Sequence, residues 1–241
     1  MTDLSQLKIK LFADGADLES IKEHAGNPLV QGFTTNPSLM RNAGVSDYKS
    51  FALSASELVA GRPISFEVFS DDVDEMVKQA QEIASWNDNI NVKIPVINTE
   101  GKSTISAIRS LSSDGIIVNV TAIFTKDQYE QVIDAVSENH PSIISIFAGR
   151  IADSGIDPTG TMTAAVKYAK SKPRAQILWA STREPHSILQ AEACGCQIIT
   201  VEPSMLDKAA KLFGKNLEQY SVETVKQFYD DAMSSGFSIP I

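Results

Sequence analysis

The chain has 241 residues, 43% hydrophobic and 21% charged, a composition that suits a folded globular protein and excludes disordered and fibrous classes. With 21 basic against 30 acidic side chains the net charge is −9, which argues against non-specific nucleic-acid binding and against docking on an anionic membrane. An anionic substrate would therefore have to meet a local basic cluster, because the global field repels it.

Short β-rich runs alternate with helical patterns along the whole chain. The first is "KIKLFADG" (8–15), ending near Asp14, and the second "LVQGFTTN" (29–36), ending in Thr34, Thr35 and Asn36. Asp47 then marks a helix start before "YKSFALSASELV". "PISFEVF" (63–69) carries Glu67 inside a strand pattern. Residues Asp71–Trp86 place Val73, Met76, Val77, Ala80 and Ile83 on one face at helical spacing, with Ser70 as the expected cap. The acidic run "DDVDE" (71–75) reads as the first turn of that helix, where negative charge suits the macrodipole.

"INVKIP" (90–95) sets Asn91, Lys93 and Pro95 on one face, with Val92 and Ile94 on the other. A strand covered on both sides should be nearly all apolar, so a lysine there needs a reason. "GIIVNVTAIF" (115–124) puts Asn119 and Thr121 on a shared face, and Thr125 caps the next helix. "SIISIFAG" (142–149) carries Ser145, and "AQILWAST" (175–182) ends in Ser181 with Arg183 just beyond. "QIITVEP" (197–203) is the eighth run, and a last helix is expected at about Val222 to Met233.

Eight strand–helix units without a linker predict a single-domain (β/α)8 TIM barrel spanning residues 1–241, with an additional C-terminal helix. The competing architecture is an open doubly wound sheet, which gathers its ligand groups mainly at one switch point. Here polar residues fall at the carboxyl ends of seven of the eight strands, as a barrel mouth requires. Taken singly, a terminal Asn, Ser or Thr is usually a cap, and a lone Glu or Lys usually faces water. Repeated from strand to strand, they predict one shared site.

That site has recognisable chemistry. A desolvated lysine such as Lys93 can attack a carbonyl as the neutral amine. Asp14 and Glu67, from different strands, can divide proton transfers. Asn36 and Asn119 suit substrate hydroxyls, while Arg150, Ser181 and Arg183 form a candidate phosphate clamp.

Other signals carry less. "GKST" (101–104) has Val96 where a phosphate loop needs glycine, and reads as a helix start. His24, His140 and His186 lack ligand spacing, and Cys194 and Cys196 are too few for a metal site, so no metal is expected. "MTDLSQLKIK" has no long apolar run, which fits a cytoplasmic protein.

Together the motifs resemble the short form of the transaldolase family: "GFTTNPSL" its first signature, "NVKIPVINTEG" the segment around its Schiff-base lysine, then "NVTAIFT", "SIFAGRIADSGID" and "WASTREP" in order. The resemblance covers nearly the whole chain and implies a class I aldolase barrel. It implies an imine on Lys93, Asp14 as acid and base at the carbon-4 hydroxyl, and Glu67 as a proton shuttle through a water held with Thr121. Asn36, Asn119 and Ser145 would hold the dihydroxyacetone unit, and Arg150, Ser181 and Arg183 the distal phosphate. It further implies sugar phosphates as the small-molecule partners, the pentose phosphate pathway, no cofactor, and a homo-oligomer. The alternatives are a cleavage-only fructose 6-phosphate aldolase or sulfo-sugar aldolase and, in another class, a non-catalytic sugar-phosphate-binding barrel. Glu67 and Phe147 match the transfer enzymes, where the aldolases tend to have Gln and Tyr. Ile146, in place of the family's frequent Pro, and "STREP", in place of the "SFRN" type, depart from the pattern.

Overall fold

The computed structural model describes residues 4–241. Among them, β1 (Lys10–Asp14), α1 (Leu18–Ala25) and β2 (Val30–Thr34) lead to a helix pair, α2 (Pro37–Asn42) and α3 (Tyr48–Leu58). Next come β3 (Ile64–Glu67), α4 (Val73–Ala84), β4 (Ile90–Pro95), α5 (Ile105–Ser113), β5 (Val118–Ile123) and α6 (Lys126–Ala135). The chain continues through β6 (Ser142–Ile146), α7 (Ala148–Asp153), α8 (Thr159–Tyr168), β7 (Ala175–Trp179), α9 (Ser187–Cys194) and β8 (Ile198–Val201). It ends with α10 (Pro203–Leu212) and α11 (Leu217–Ser235). The strands pair in parallel and in sequence order, and β8 returns to β1, closing a (β/α)8 barrel.

Period-two alternation sorts the side chains into two apolar clusters. Outward residues such as Phe33, Phe66, Val92, Ile94, Val120, Ile144, Trp179 and Val201 pack between the sheet and the helices. A smaller cluster of Phe12, Ile143, Leu178, Ala180 and Ile198 fills the barrel axis. Room for the Phe12 ring comes from Gly32, where a Cβ would lie 2.4 Å from the ring. Any larger residue at position 32 would evict this plug. The inward face of each strand climbs through the plug. Lys10, Phe12 and Asp14 rise on β1, and on β8 Ile198 is followed by Thr200.

Height along the axis corrects one expectation. Asn91 does not join Lys93 in the mouth; it lines a cavity of about 330 Å³ at the opposite end, with Lys10, Phe12 and Gln176. Two residues along a strand span nearly 7 Å, enough to cross the plug.

The helix caps follow local chemistry. Asp47 accepts from the Ser50 N–H, and Thr125 forms a reciprocal capping box with Gln128. Asp72, rather than Ser70, caps α4 by accepting from the Glu75 N–H. Its neighbour Asp71 instead accepts from the Thr99 N–H and hydroxyl, each at 2.7 Å, and ties the loop after β3 to the loop after β4. So "DDVDE" straddles the helix start rather than forming its first turn. Thr104 stands at the start of α5, its hydroxyl donating to the Pro95 carbonyl. The terminal helix α11 begins earlier than the expected Val222 and is 19 residues long with none buried.

Candidate active site

At the carboxyl ends of the strands lies a cavity of about 520 Å³. Its lining includes Asp14, Asn36, Glu67, Lys93, Asn119, Thr121, Ser145, Arg150, Ser181 and Arg183. Apart from Asn91, the polar strand residues assigned a role from the sequence therefore reach one space, on the barrel face where active sites sit in this architecture.

Lys93 sits on its floor and is 8% exposed. The β3–β4 register pairs Glu67 with Lys93 directly, and the β4–β5 register pairs Lys93 with Asn119. That placement brings Lys93 Nζ within 3.1 Å of Glu67 Oε2, and Nζ also donates to the Thr35 carbonyl at 2.8 Å. The desolvation cost of burying an ion pair offsets much of its Coulomb gain, so the pair is weak support for stability.

Asp14 is placed by β1. Thr34 Oγ1 donates to Asp14 Oδ1 at 2.7 Å and also meets Thr200 Oγ1. Thr34 has one hydroxyl proton, given to Asp14, so the proton between the threonines belongs to Thr200. Burial raises the proton affinity of Asp14 most strongly; Lys93 and then the Thr34 bond lower it, and the Glu202 and Glu67 charges raise it again. The net direction is upward from the usual carboxylate value.

The amides serve the frame as well as the space. Asn36 caps α2 by accepting from the Leu39 N–H at 2.9 Å, and the residue lines the cavity. Asn119 donates to Ser65 Oγ at 3.0 Å and accepts from Ser145 Oγ at 2.6 Å, linking β3, β5 and β6.

The basic side is built from β6 and β7. Arg150, on α7, lies 5.1 Å from the Phe147 ring centroid, and Phe147 packs on Phe124. Arg183 forks onto Asp153, its NH2 nitrogen donating to Oδ2 at 2.6 Å. These donors hold the Asp153 carboxyl below the usual range. Two non-glycine residues lining the space have left-handed backbone, Ala122 at φ +59° and Ser181 at φ +62°. Such positions cost about 1–3 kcal/mol each and cluster at functional sites.

Glu202 and Thr200 also line the cavity, and Ser65 supports it from beneath, although sequence reasoning gave none of the three a role. The signal was present. Ile198, Thr200 and Glu202 alternate along "QIITVEP" just as Asn119 and Thr121 do.

Among the described residues no group of three or more His, Cys, Asp or Glu is placed to hold a metal ion, and no helix is long and apolar enough to cross a membrane. Cys194 and Cys196 are buried free thiols.

Comparison with known proteins agrees with this geometry. A family model described as Transaldolase/Fructose-6-phosphate aldolase matches residues 11–239. A probable transaldolase of Dehalococcoides mccartyi is 35% identical over 199 residues, 82% of this chain and 88% of that one. A probable transaldolase of Nitrosopumilus maritimus is 34% identical over 202 residues, 83% of this chain and 86% of that one. The solved structure of thiamine phosphate pyrophosphorylase from Pyrococcus furiosus superimposes with a TM-score of 0.55 at 10% identity, over 85% of this chain and 95% of that chain, and shares the fold alone. With the family model matched almost from end to end and relatives about one-third identical over four-fifths of its length, this chain belongs to the transaldolase/fructose-6-phosphate aldolase family of enzymes.

Proposed function

We propose that this protein is a transaldolase, moving a dihydroxyacetone unit from a ketose phosphate to an aldose phosphate through a Schiff base on Lys93. The observation that carries the reading is the Lys93–Glu67 pair on the floor of a cavity that also holds Asp14.

The Lys93–Glu67 contact and the position of Asp14 support the following steps. Glu67 takes a proton from the Lys93 ammonium, and the freed amine attacks the ketose carbonyl to give a carbinolamine. Glu67 then returns a proton to the departing hydroxyl, by way of a water near Thr121, and water leaves as the imine forms. Asp14, as the carboxylate, takes the carbon-4 hydroxyl proton while the C3–C4 bond breaks. The electron pair flows into the imine, giving an enamine and releasing an aldose. An acceptor aldehyde reverses these steps with Asp14 as the acid. Asn36, Asn119 and Ser145 hold the three-carbon unit, and Arg150, Ser181 and Arg183 bind the distal phosphate.

Phe147 favours transfer over simple cleavage, because its ring offers no proton to the enamine. The donor–acceptor set is sedoheptulose 7-phosphate with glyceraldehyde 3-phosphate, giving erythrose 4-phosphate and fructose 6-phosphate, as in the pentose phosphate pathway. A cytoplasmic homo-oligomer completes the proposal. Leu217, Val222, Val225, Phe228, Tyr229 and Met233 on α11 are all exposed, which supports association with a second copy; solution scattering reads it directly.

Borohydride reduction with fructose 6-phosphate, followed by mass mapping, should leave a stable adduct on Lys93. Its absence would remove imine catalysis. Assays with and without erythrose 4-phosphate then divide the two activities: release of glyceraldehyde 3-phosphate at equal rates in both would identify a cleavage-only aldolase.

A further inference from the structure

The charged groups of the cavity are almost all spoken for. Lys93 pairs with Glu67, Arg183 with Asp153, Arg150 faces the Phe147 ring, and Asp14 accepts from Thr34. Glu202 is different. It follows β8, stands at the cap position of α10, and lines the cavity, yet its side chain makes no cap bond. The residue is exposed, and its carboxylate has no hydrogen-bond or ion-pair partner among the described residues.

A carboxylate is an acceptor only, so it calls for donors. The fold supplies none, and water satisfies it only until a ligand fills the space. The donors that a polyol chain presents are hydroxyl groups, and their bonds to a charged acceptor are stronger than neutral ones.

Resting on the transaldolase reading above, we infer that Glu202 is a substrate-binding residue of this site, accepting hydrogen bonds from sugar hydroxyls on the β8–β1 side. The same charge bears on Asp14. The groups acting on Asp14 are Thr34 from β2, Glu67 from β3, Lys93 from β4 and Glu202 from the end of β8. Glu202 acts to raise the Asp14 proton affinity, so removing its charge lets Asp14 stay ionised at lower pH.

Two full-length variants test this. Glu202→Gln keeps an acceptor without the charge, and Glu202→Leu removes both. With fructose 6-phosphate as donor, KM should rise about tenfold in the leucine variant and less in the glutamine variant. The acid limb of kcat/KM should move to lower pH in both. A KM equal to that of the unaltered protein in both variants overturns the inference. Borohydride trapping on Lys93 provides the control. Loss of the adduct in the unaltered protein counts against the transaldolase reading, whereas intact trapping with unchanged Glu202 kinetics counts against this residue alone.

Discussion

Replacing Gly149 with alanine would drive a methyl group into the backbone of the neighbouring unit. A Cβ at this position lies 1.5 Å from the Ser181 carbonyl oxygen and 2.6 Å from its carbon. Non-bonded heavy atoms rest about 3.5 Å apart, so the two backbones must separate by about 2 Å. That separation breaks the bond from the Gly149 N–H to the Ala180 carbonyl, 3.2 Å long. Overpacking costs about 1–3 kcal/mol and the lost bond about 1 kcal/mol. For a chain of this size the sum lowers Tm by about 4–16 °C. Helix propensity alone gives the opposite sign, since alanine in α7 should stabilise by about 1 kcal/mol. Arg183 Cγ is 3.2 Å from the same methyl, so the arginines move apart and KM for phosphorylated sugars rises. Thermal unfolding and steady-state kinetics read both effects. An unchanged or higher Tm with unchanged KM would refute the close approach.

Asp14→Asn should abolish turnover yet raise Tm at pH 7. The folded-state proton affinity of Asp14 is raised, so the native state binds more protons, and its stability falls as pH climbs from 3.8 through the folded value. The gain in the variant should vanish below about pH 3.8; a Tm gain that persists at pH 3 would contradict it. Arg183→Ala should raise KM for phosphorylated sugars by about 10- to 100-fold, with little change in Tm because its ion pair with Asp153 is half-exposed. Unchanged kinetics would take Arg183 out of the clamp. Burial pushes the Cys196 thiol up to about 12, and Cys194 is buried beside it. Iodoacetamide at pH 8 should therefore label neither cysteine until the protein is unfolded, and rapid native labelling would show that the β7–β8 region opens.

The barrel was legible because its strands alternate and its polar residues recur at the same end. Lys93 and Glu67 could be nominated from single strands, but their contact is a matter of register, which only the pairing of β3 with β4 supplies. The same holds for Thr34 and Thr200, which are distant in sequence and meet only where β8 and β2 flank β1. Asn91 shows the limit of periodicity, because alternation assigns a face and not a height. The α4 cap moved from Ser70 to Asp72 because several capping residues compete within three positions and the loop contact of Asp71 with Thr99 selects among them. Arg183 was readable as a cation, whereas its anchor Asp153 lay in a different motif, and nothing in the sequence joined the two.

The aromatic stopper across the axis, Phe12 wedged over Gly32, has a kinetic consequence. With the axis below Lys93 filled by the Phe12 cluster, both sugars of the proposed transfer would enter and leave through the mouth. In that proposed reaction the first aldose would vacate before the second approached the enamine carbon. For the proposed transaldolase, double-displacement kinetics with parallel reciprocal plots are thus the expected pattern, and intersecting plots would count against it.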